Sequence, residues 1–409
     1  MIDCLEKNNI NKFIKTIKDK YCFFSFYCIY FFTIMIDTSV YVTKYPFVDN
    51  IMSIIRYICY IFFLIRFILY FFSYKEKIFN INIKNIILYI LLLFIFSIVM
   101  NTILTRNTLI PTLLIVMMAA IDISFDEMLN ITYKMQLITM CFITASCAFN
   151  LIGNFETFRA DGSIRNSIGY DYPTNFSTYL LALTLMYMFI KRFIVENYTL
   201  FVIQLLYIIS FFLTKSRTQF LIGEIVFIFG VLYKYHIIHK FKSFLLKVLK
   251  TSIYIFPLLP ITSLMVSMFS KNHFIMKLNT LLNGRIELTK LAIDKYGISL
   301  FGKTVDFIGG GLSDLDKLKA HTYLYVDNGY MQAILKHGIL VVLCLIVLIF
   351  ISLMYMYSKK QYLTVSLCLI FLYGSLINPW LINFKVSPLL FIIFPTIISA
   401  MKENNRKYI

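Results

Sequence analysis

Charged residues are scarce in this chain. Asp, Glu, Lys and Arg make up only 15% of its 409 residues, whereas soluble domains carry about a quarter. Hydrophobic residues account for 59%, and the mean hydropathy is +0.77. This composition excludes an ordinary water-soluble domain. Apolar runs close to the roughly 20 residues that cross a bilayer recur along the whole length, so we predict a single membrane domain over residues 1–409.

Acidic residues are also few, since 21 Asp and Glu stand against 39 Lys and Arg, which gives a net charge of +18. In nucleic-acid-binding proteins such an excess is gathered into a patch or a recognised module. Here the basic residues fall mostly between apolar runs, a pattern that sets the orientation of a multi-pass membrane protein. We therefore expect membrane lipids as surroundings and no nucleic-acid partner.

The sequence lacks the grouped Cys and His residues that bind metal. Of its eight cysteines, all but Cys4 lie inside or beside apolar runs. We expect no metal, no cofactor and no extracellular disulfide pair. The lysine-rich first 20 residues lead into an apolar run without a small-residue cleavage site, so we expect a retained first span rather than a removed signal peptide.

The hydrophobic runs predict an all-α bundle of about 12 transmembrane helices. These runs cover residues 21–36, 51–72, 86–103, 109–123, 135–153, 174–190, 198–214, 217–235, 251–269, 338–357, 361–377 and 387–401.

The connections between these runs differ in charge from one side of the membrane to the other. The set that includes both termini carries 21 Lys or Arg, and the short loops of the opposite side carry seven. Because basic loops stay in the cytosol, we expect both termini to be cytosolic. Residues 270–337 then form one large extracellular loop with short helices, and connections of this length are usually functional.

Within this loop, "GISLFGKT" (297–304) matches the phosphate-binding loop G-x-x-x-x-G-K-[ST] of nucleoside triphosphatases. That motif requires a preceding buried strand and access to cytosolic ATP. Here the preceding sequence, "GRIELTKLAIDKYG", predicts a helix ended by Gly297, and the expected location is extracellular. We therefore expect no nucleotide site, and we expect Gly302 and the three glycines of 309–311 to allow tight turns.

Ionisable residues within membrane helices suggest polar sites. Arg217 begins the run at 217–235, and Glu224 follows on the same helix face, about 10 Å deeper. Either the two belong to an internal structural contact, or Arg217 faces an outward polar cavity with Glu224 orienting groups beneath it. For Arg66, near one end of the second run, we expect a side chain that extends to the membrane surface.

Four arginines are expected on the outer surface close to helix ends. Arg159 and Arg165 stand on the loop after the fifth run, Arg217 opens the eighth, and Arg285 opens the predicted helix of the large loop. A guanidinium binds phosphate oxygens through a planar fork, and helix N-termini add partial positive charge. These residues predict an outward-facing anion site on the scale of a pyrophosphate. The alternative is that the arginines are scattered over the surface.

Four segments, in this order, resemble polysaccharide polymerases of the Wzy type, in the O-antigen polymerase and O-antigen ligase superfamily. They are "RNSIGYDYPTNFSTYLL", "SRTQF", "NGRIELTKLAI" with "LFGK", and "DNGYMQAILKHGIL". The resemblance implies a metal-independent membrane glycosyltransferase in the cytoplasmic membrane of a bacterium. Such an enzyme joins undecaprenyl-pyrophosphate-linked oligosaccharide repeat units into a capsule, exopolysaccharide or O-antigen. A flippase and a chain-length regulator of the same pathway are the candidate protein partners.

The resemblance also assigns roles to residues. Arg217 and Arg285 correspond to arginines that hold the pyrophosphate, and Arg165 is a third candidate, with Arg159 beside it. Ligase relatives carry His-Asn where this chain has Asp327 followed by Asn, so the general base is either Asp327 or His321.

Each of these two residues has a simpler explanation. Asp327 would also suit a helix N-cap, and His321 an ordinary loop histidine. Two other activities stay open for the chain. One is an O-antigen-ligase-like transfer of finished glycan to another acceptor, and the other is a flippase, although the two halves of the chain show no internal repeat.

Overall fold

The protein is described by a computed structural model over residues 15–78, 82–158, 162–235, 241–269, 272–320 and 322–406. These residues are mostly helical, which confirms the predicted fold class in its coarse form, and each predicted apolar run falls largely on a helix. The helices are α1 (Lys20–Ile36), α2 (Val40–Lys44), α3 (Pro46–Ile78), α4 (Asn82–Thr105), α5 (Leu109–Ala119), α6 (Phe125–Ala148), α7 (Pro173–Ile190), α8 (Asn197–Thr214), α9 (Arg217–Lys234), α10 (Lys242–Ile255), α11 (Leu259–Met268), α12 (His273–Leu281), α13 (Arg285–Tyr296), α14 (Leu315–Ala320), α15 (Gly329–His337), α16 (Ile339–Ser358), α17 (Tyr362–Gly374) and α18 (Ile393–Arg406). A two-stranded antiparallel ribbon, β1 (Glu156–Phe158) and β2 (Ile164–Asn166), and three short 3-10 turns complete the described elements.

Four helical stretches are long and apolar enough to cross a membrane: Pro46–Tyr70, Asn197–Thr214, Lys242–Met268 and Ile339–Ser358. Many large apolar side chains on the helices are exposed, and such a surface is typical of contact with lipid. The protein is therefore membrane-associated. The other predicted runs form shorter or less apolar helices, and the count of about 12 spans stays a prediction.

The ends of several helices follow from single side chains or glycines. α6 begins with a capping box, in which Ser124 accepts from the backbone N–H of Glu127 and the Glu127 carboxylate accepts from the backbone N–H of Ser124. α13 lies between Gly284 (φ 79°) and Gly297 (φ 67°), conformations that only glycine adopts without strain. The predicted end of this helix at Gly297 is confirmed.

The core between the first helices is rich in aromatic rings. α1 packs against α3 and α6, and the rings of Phe26 and Phe62 stack with centroids 3.9 Å apart. Tyr27 is fully buried and its hydroxyl bonds to Thr132 of α6 at 2.9 Å. Farther along, α7 packs against α6, α8 and α9, and α16 packs against α4 and α18. This packing places the starts of α7 and α9 side by side.

Arg66 does not extend to the surface as its position predicted. Its side chain is fully buried, and one guanidinium nitrogen, Nη2, donates to both oxygens of the Asp122 carboxylate at 2.9 and 3.0 Å. It also donates to the backbone carbonyls of Ala119 and Ile17. The prediction was wrong because an arginine can also remain at depth when other chain segments supply enough acceptors.

Residues 270–337 contain four short helices, α12 to α15, and an isolated β-bridge between Ile308 and Leu324. The buried Asn101 of α4 attaches this segment to the bundle, because its amide donates to the carbonyl of Phe301 at 2.6 Å and to that of Lys336 at 3.0 Å. The stretch "GISLFGKT" follows α13 and not a strand. The motif therefore lacks the preceding strand that a phosphate-binding loop of this kind requires.

The glycines of this segment have different roles. Gly302 has φ 87°, as a tight turn requires, and an added Cβ there would collide with Asn101 and with the backbone of His337. The chain bends at Gly310 and Gly311, as predicted, although the glycines of 309–311 have no positive φ. They also line a cavity, and a Cβ on Gly310 would stand 3.2 Å from the ring of Tyr172.

Candidate functional site

A cavity of about 390 Å³ lies where four parts of the chain meet. They are the end of the β2–α7 connection with the first turns of α7, the start of α9, the segment from α13 to the start of α15, and the loop after α17. The lining is mostly polar, and its charged members are Arg165, Asp171, Arg217, Arg285, Asp314 and Asp327. Three of the four arginines predicted from sequence and one of the two predicted bases therefore line a single cavity.

Arg165 is held on the short strand β2 and is only 8% exposed. Its Nε donates to the carbonyl of Thr214 at 2.9 Å, and its guanidinium lies over the ring of Tyr172. Thr214 is the last residue of α8, so the arginine neutralises the negative end of that helix dipole. Part of its hydrogen-bonding capacity is thus used by the protein itself.

Arg217 is the first residue of α9 and is exposed at the cavity. The first N–H groups of a helix have no partner within it, and they carry partial positive charge. Beside them the hydroxyl of Ser216 is buried and has no hydrogen-bond partner in the described part of the chain. The start of α9 thus gives the cavity an arginine, a helix N-terminus and an unsatisfied hydroxyl.

Gln219 fixes this helix start against its neighbours. It is buried, and its amide donates to the Thr178 hydroxyl at 3.1 Å and to the side-chain oxygen of Asn378 at 3.3 Å. One side chain thereby connects α9 to α7 and to the loop after α17, all of which line the cavity.

Arg285, the first residue of α13, forms an ion pair with Asp327. The distance from Nε to Oδ2 is 3.0 Å, and the two side chains are 26% and 24% exposed. Nη1 of the same guanidinium donates to the carbonyl of Ile377 at 2.7 Å. Burial raises the pKa of Asp327, and Arg285 acts in the opposite direction.

Asp327 is not the N-cap of the following helix. Asn328 has that role, because its side chain accepts from the backbone N–H of Met331 at 3.0 Å, and its amide donates to the Ser263 hydroxyl. The capping explanation considered for Asp327 was therefore wrong. Its carboxylate is directed to Arg285 at the cavity.

Asp171 is a second carboxylate in the cavity, and it was not singled out from the sequence. Its side chain accepts a hydrogen bond from the amide of Asn175, and its backbone bonds to Thr38 and Leu312. Burial raises its pKa to about 6, against the attraction of Lys385 and the hydrogen bond from Asn175. A carboxyl group with such a pKa exchanges protons close to neutral pH.

Aromatic side chains form part of the wall. Tyr172, Tyr323, Tyr325 and Trp380 line the cavity, and burial raises the pKa of Tyr325 to about 12, so its hydroxyl remains protonated. Aromatic rings provide apolar faces together with polar edges. Such a wall suits a ligand with both polar groups and apolar faces, as sugar rings have.

The remaining predictions have different outcomes. Arg159 and His321 lie outside the described residues. Glu224 does not line the cavity, and its carboxylate accepts two hydrogen bonds from the amide of Gln204 on α8, at 2.9 and 3.0 Å. Of the two alternatives for Glu224, this geometry favours an internal structural contact, although with Gln204 and not with Arg217.

Several lining residues gave little signal in the sequence. Gln219, Asn378 and Asn383 are amides inside apolar surroundings, and only the packing of distant segments brings them together. Asp171 lies just before Pro173, the first residue of α7, inside a polar loop that was already of interest. A search for carboxylates close to the predicted outer arginines could have identified it.

Comparisons with known proteins gave no match to a family model, to a curated protein or to a solved structure. No group of three or more His, Cys, Asp or Glu suited to a metal ion occurs among the described residues. The chemistry of the cavity must therefore be inferred from its own side chains.

Proposed function

We propose that this protein is a membrane glycosyltransferase that polymerises undecaprenyl-pyrophosphate-linked oligosaccharide repeat units into a surface polysaccharide. The observation that carries the proposal is that Arg217, Arg285 and Asp327, from three distant parts of the chain, line one polar cavity. The ion pair between Arg285 and Asp327 supports it further, because it puts a cation and a carboxylate within contact of each other.

In the proposed reaction the bond between the anomeric carbon of the donor glycan and its pyrophosphate breaks. A hydroxyl oxygen of the acceptor repeat unit bonds to that carbon, and the carrier pyrophosphate leaves. Arg217 and Arg285, with the N-terminus of α9, stabilise the charge that develops on the pyrophosphate. Asp327 accepts the proton of the attacking hydroxyl. Arg165, which lies on β2 and contacts the end of α8, supports the same wall.

The proposal includes a location and an orientation. The cavity faces the outer side of the cytoplasmic membrane of a bacterium, both termini are cytosolic, and the chain crosses the membrane about 12 times. The basic residues between apolar runs support this orientation. The partners are the carrier-linked oligosaccharide and membrane lipids, with a flippase and a chain-length regulator acting in the same pathway.

The test is elongation by purified full-length protein in detergent, supplied with a defined pyrophosphate-linked repeat unit. We expect a ladder of products for the wild type and single repeats for Arg285→Ala and for Asp327→Asn. Lys295→Ala and Asp294→Asn are matched controls, because they are exposed on the same helix and are not among the lining residues. Both controls should give the wild-type ladder.

Chain growth in detergent needs no transport, so a ladder separates this function from that of a flippase. In cells, loss of polymerisation leaves single repeats, whereas loss of ligation leaves full-length chains on the carrier. If both site variants elongate like the wild type, the proposed site is wrong. If the wild type forms no ladder but mutant cells accumulate full-length carrier-linked chains, the protein is a ligase and not a polymerase.

A further inference from the structure

A second, smaller cavity of about 240 Å³ lies next to the candidate site. It is formed by α15 and the loop after α17, and we call it the lysine chamber, after Lys336 and Lys385 in its lining. Tyr325, Pro379 and Asn383 line both cavities and form the wall between them. A ligand in the main cavity therefore lies one side chain away from the chamber.

The lysine chamber carries unbalanced positive charge. Its lining includes two lysines and no Asp or Glu, whereas the lining of the main cavity has three arginines and three aspartates. In the described part of the chain, no salt bridge is formed by either lysine. Lys336 instead lies over the ring of Phe307, 4.8 Å from its centroid.

Both ammonium groups are held in surroundings that disfavour charge. Burial lowers the pKa of Lys336, although Asp306 and Asp314 oppose this from a distance. Burial lowers the pKa of Lys385 to about 8, and Asp171 across the wall opposes it. A partly buried ammonium group without a salt bridge reduces stability, so the chain gains from an anion that pairs with both lysines of this lining.

His337 adds a hydrogen-bonding group to this lining. The residue is only 3% exposed, and its Nδ1 is buried without a partner among the described residues. Burial and the neighbouring Lys336 hold its pKa at about 3, so the imidazole is neutral at ordinary pH. A neutral imidazole can donate to an oxygen of the same anion, or accept from a hydroxyl.

We propose that the lysine chamber is an anion subsite, in which Lys336 and Lys385 bind a carboxylate or phosphate group carried by a sugar of the glycan. The volume of the chamber suits one substituted ring and not a chain of several. The statement that the ligand is a glycan rests on the proposed function. The inference then makes repeat units with an acidic sugar the preferred substrates. The anion site itself depends only on the geometry of the chamber.

Binding can be measured without any transfer reaction. The chain has a single tryptophan, Trp380, which lines the main cavity and is the sequence neighbour of Pro379 and Leu381 in the chamber, so its emission responds to a ligand in either cavity and the lysine variants below assign the signal. The probes are sodium D-glucuronate, D-glucose 6-phosphate, D-glucose and sodium phosphate at constant ionic strength. Equilibrium dialysis with radiolabelled glucuronate measures the same binding independently of the fluorescence.

We expect saturable binding of at least one of the two anionic sugars and none of glucose over the same range. Lys336→Met and Lys385→Met keep the length of the side chain and remove its charge, and each should weaken binding at least tenfold. Lys277→Met, at an exposed position of α12, should bind like the wild type.

Thermal stability separates binding from a structural role. The methionine variants should melt at the same temperature as the wild type or higher, because each loses a partly buried charge that forms no salt bridge with the described residues. The inference would be overturned if glucose bound as tightly as the anionic sugars, or if the folded methionine variants bound them as tightly as the wild type. It would also be overturned if both methionine variants failed to fold. Binding of inorganic phosphate that is as tight as that of both sugars and is lost in the methionine variants would identify the chamber as a site for free anions and would also overturn the inference. None of these results bears on chain elongation, which tests the proposed function separately.

Discussion

The guanidinium of Arg285 joins Asp327 to the loop after α17. Its Nε lies 3.0 Å from Oδ2 of Asp327 in an ion pair, and its Nη1 donates to the carbonyl of Ile377 at 2.7 Å. Two parts of the cavity wall are thereby held by a single side chain. The planar arrangement of donors in arginine makes this double contact feasible.

Arg285→Lys should therefore behave much like Arg285→Ala in the elongation assay. A lysine keeps the charge, but its single ammonium group cannot reproduce the planar fork that contacts both acceptors. We expect both variants to elongate at least about 100-fold more slowly, the loss typical of removing one donor that stabilises developing negative charge. Initial rates with the pyrophosphate-linked repeat give the measurement. A lysine variant within threefold of the wild type would show that charge alone is required.

The raised pKa of Asp171 predicts that Asp171→Asn stabilises the protein near neutral pH. The pKa is about 6 in the folded protein, against an ordinary value of 3.8, so the fold favours the protonated form. Above pH 6 the carboxyl is ionised in both states, and the folded state carries the full cost, about 1 to 3 kcal/mol. Asparagine removes that cost and still accepts the hydrogen bond from Asn175.

The gain in stability should diminish as the pH falls from 6 towards 4, because the wild-type carboxyl then becomes protonated in the folded state. Melting temperatures in detergent at pH 7.5 and 4.5 measure the difference. Asp316→Asn is the matched control, since Asp316 is exposed and pairs with Lys319, and it should give no gain. An equal gain for Asp171→Asn at both pH values would contradict the raised pKa.

Replacement of the buried Arg66 should destabilise the protein strongly. Arg66→Met leaves Asp122 with Tyr70 as hydrogen-bond partner but without its cation, and breaking such a pair costs about 3 to 5 kcal/mol. The double variant Arg66→Met/Asp122→Asn should recover part of this loss, because no uncompensated charge remains. Chemical or thermal unfolding of the single-variant, double-variant and wild-type proteins measures how far the loss of stability at Arg66 depends on the charge of Asp122. Lys191→Ala, an exposed residue just after α7, should be neutral.

Two glycines with similar backbone angles should respond differently to alanine. Gly302 has φ 87° and no room for a side chain, because an added Cβ would stand 2.8 Å from the carbonyl carbon of His337. Gly284 has φ 79° but nothing within 4 Å. Gly284→Ala should cost about 1 kcal/mol from backbone strain alone, and Gly302→Ala clearly more. Equal losses of stability would show that the segments of Gly302 and His337 can move apart without cost.

The sequence predicts the helices well, because their apolar runs are long and separated by polar residues. It also predicts the start of α13 at Arg285 and its end at Gly297, where local chemistry decides. The acceptors of Arg66 were not predictable, since they lie 47 to 56 positions away in the sequence. The same holds for Asn101, whose amide donates to carbonyls 200 and 235 positions away.

The candidate site was predictable in part for a similar reason. Arginines near helix ends were visible in the sequence, and three of them line the cavity. The lysine chamber was not predictable. Lys336 and His337 resemble the ordinary basic end of a short helix, and only the packing of α15 against the loop after α17 brings them into one lining with Lys385.

Asp327 and Arg285 neutralise each other in their ion pair. In the proposed reaction, a pyrophosphate that takes over the guanidinium would release the carboxylate, and the basicity of Asp327 would increase at that moment. Arrival of the donor would thus switch on the group that accepts the proton, so that acceptor hydroxyls would keep their protons until a donor is bound.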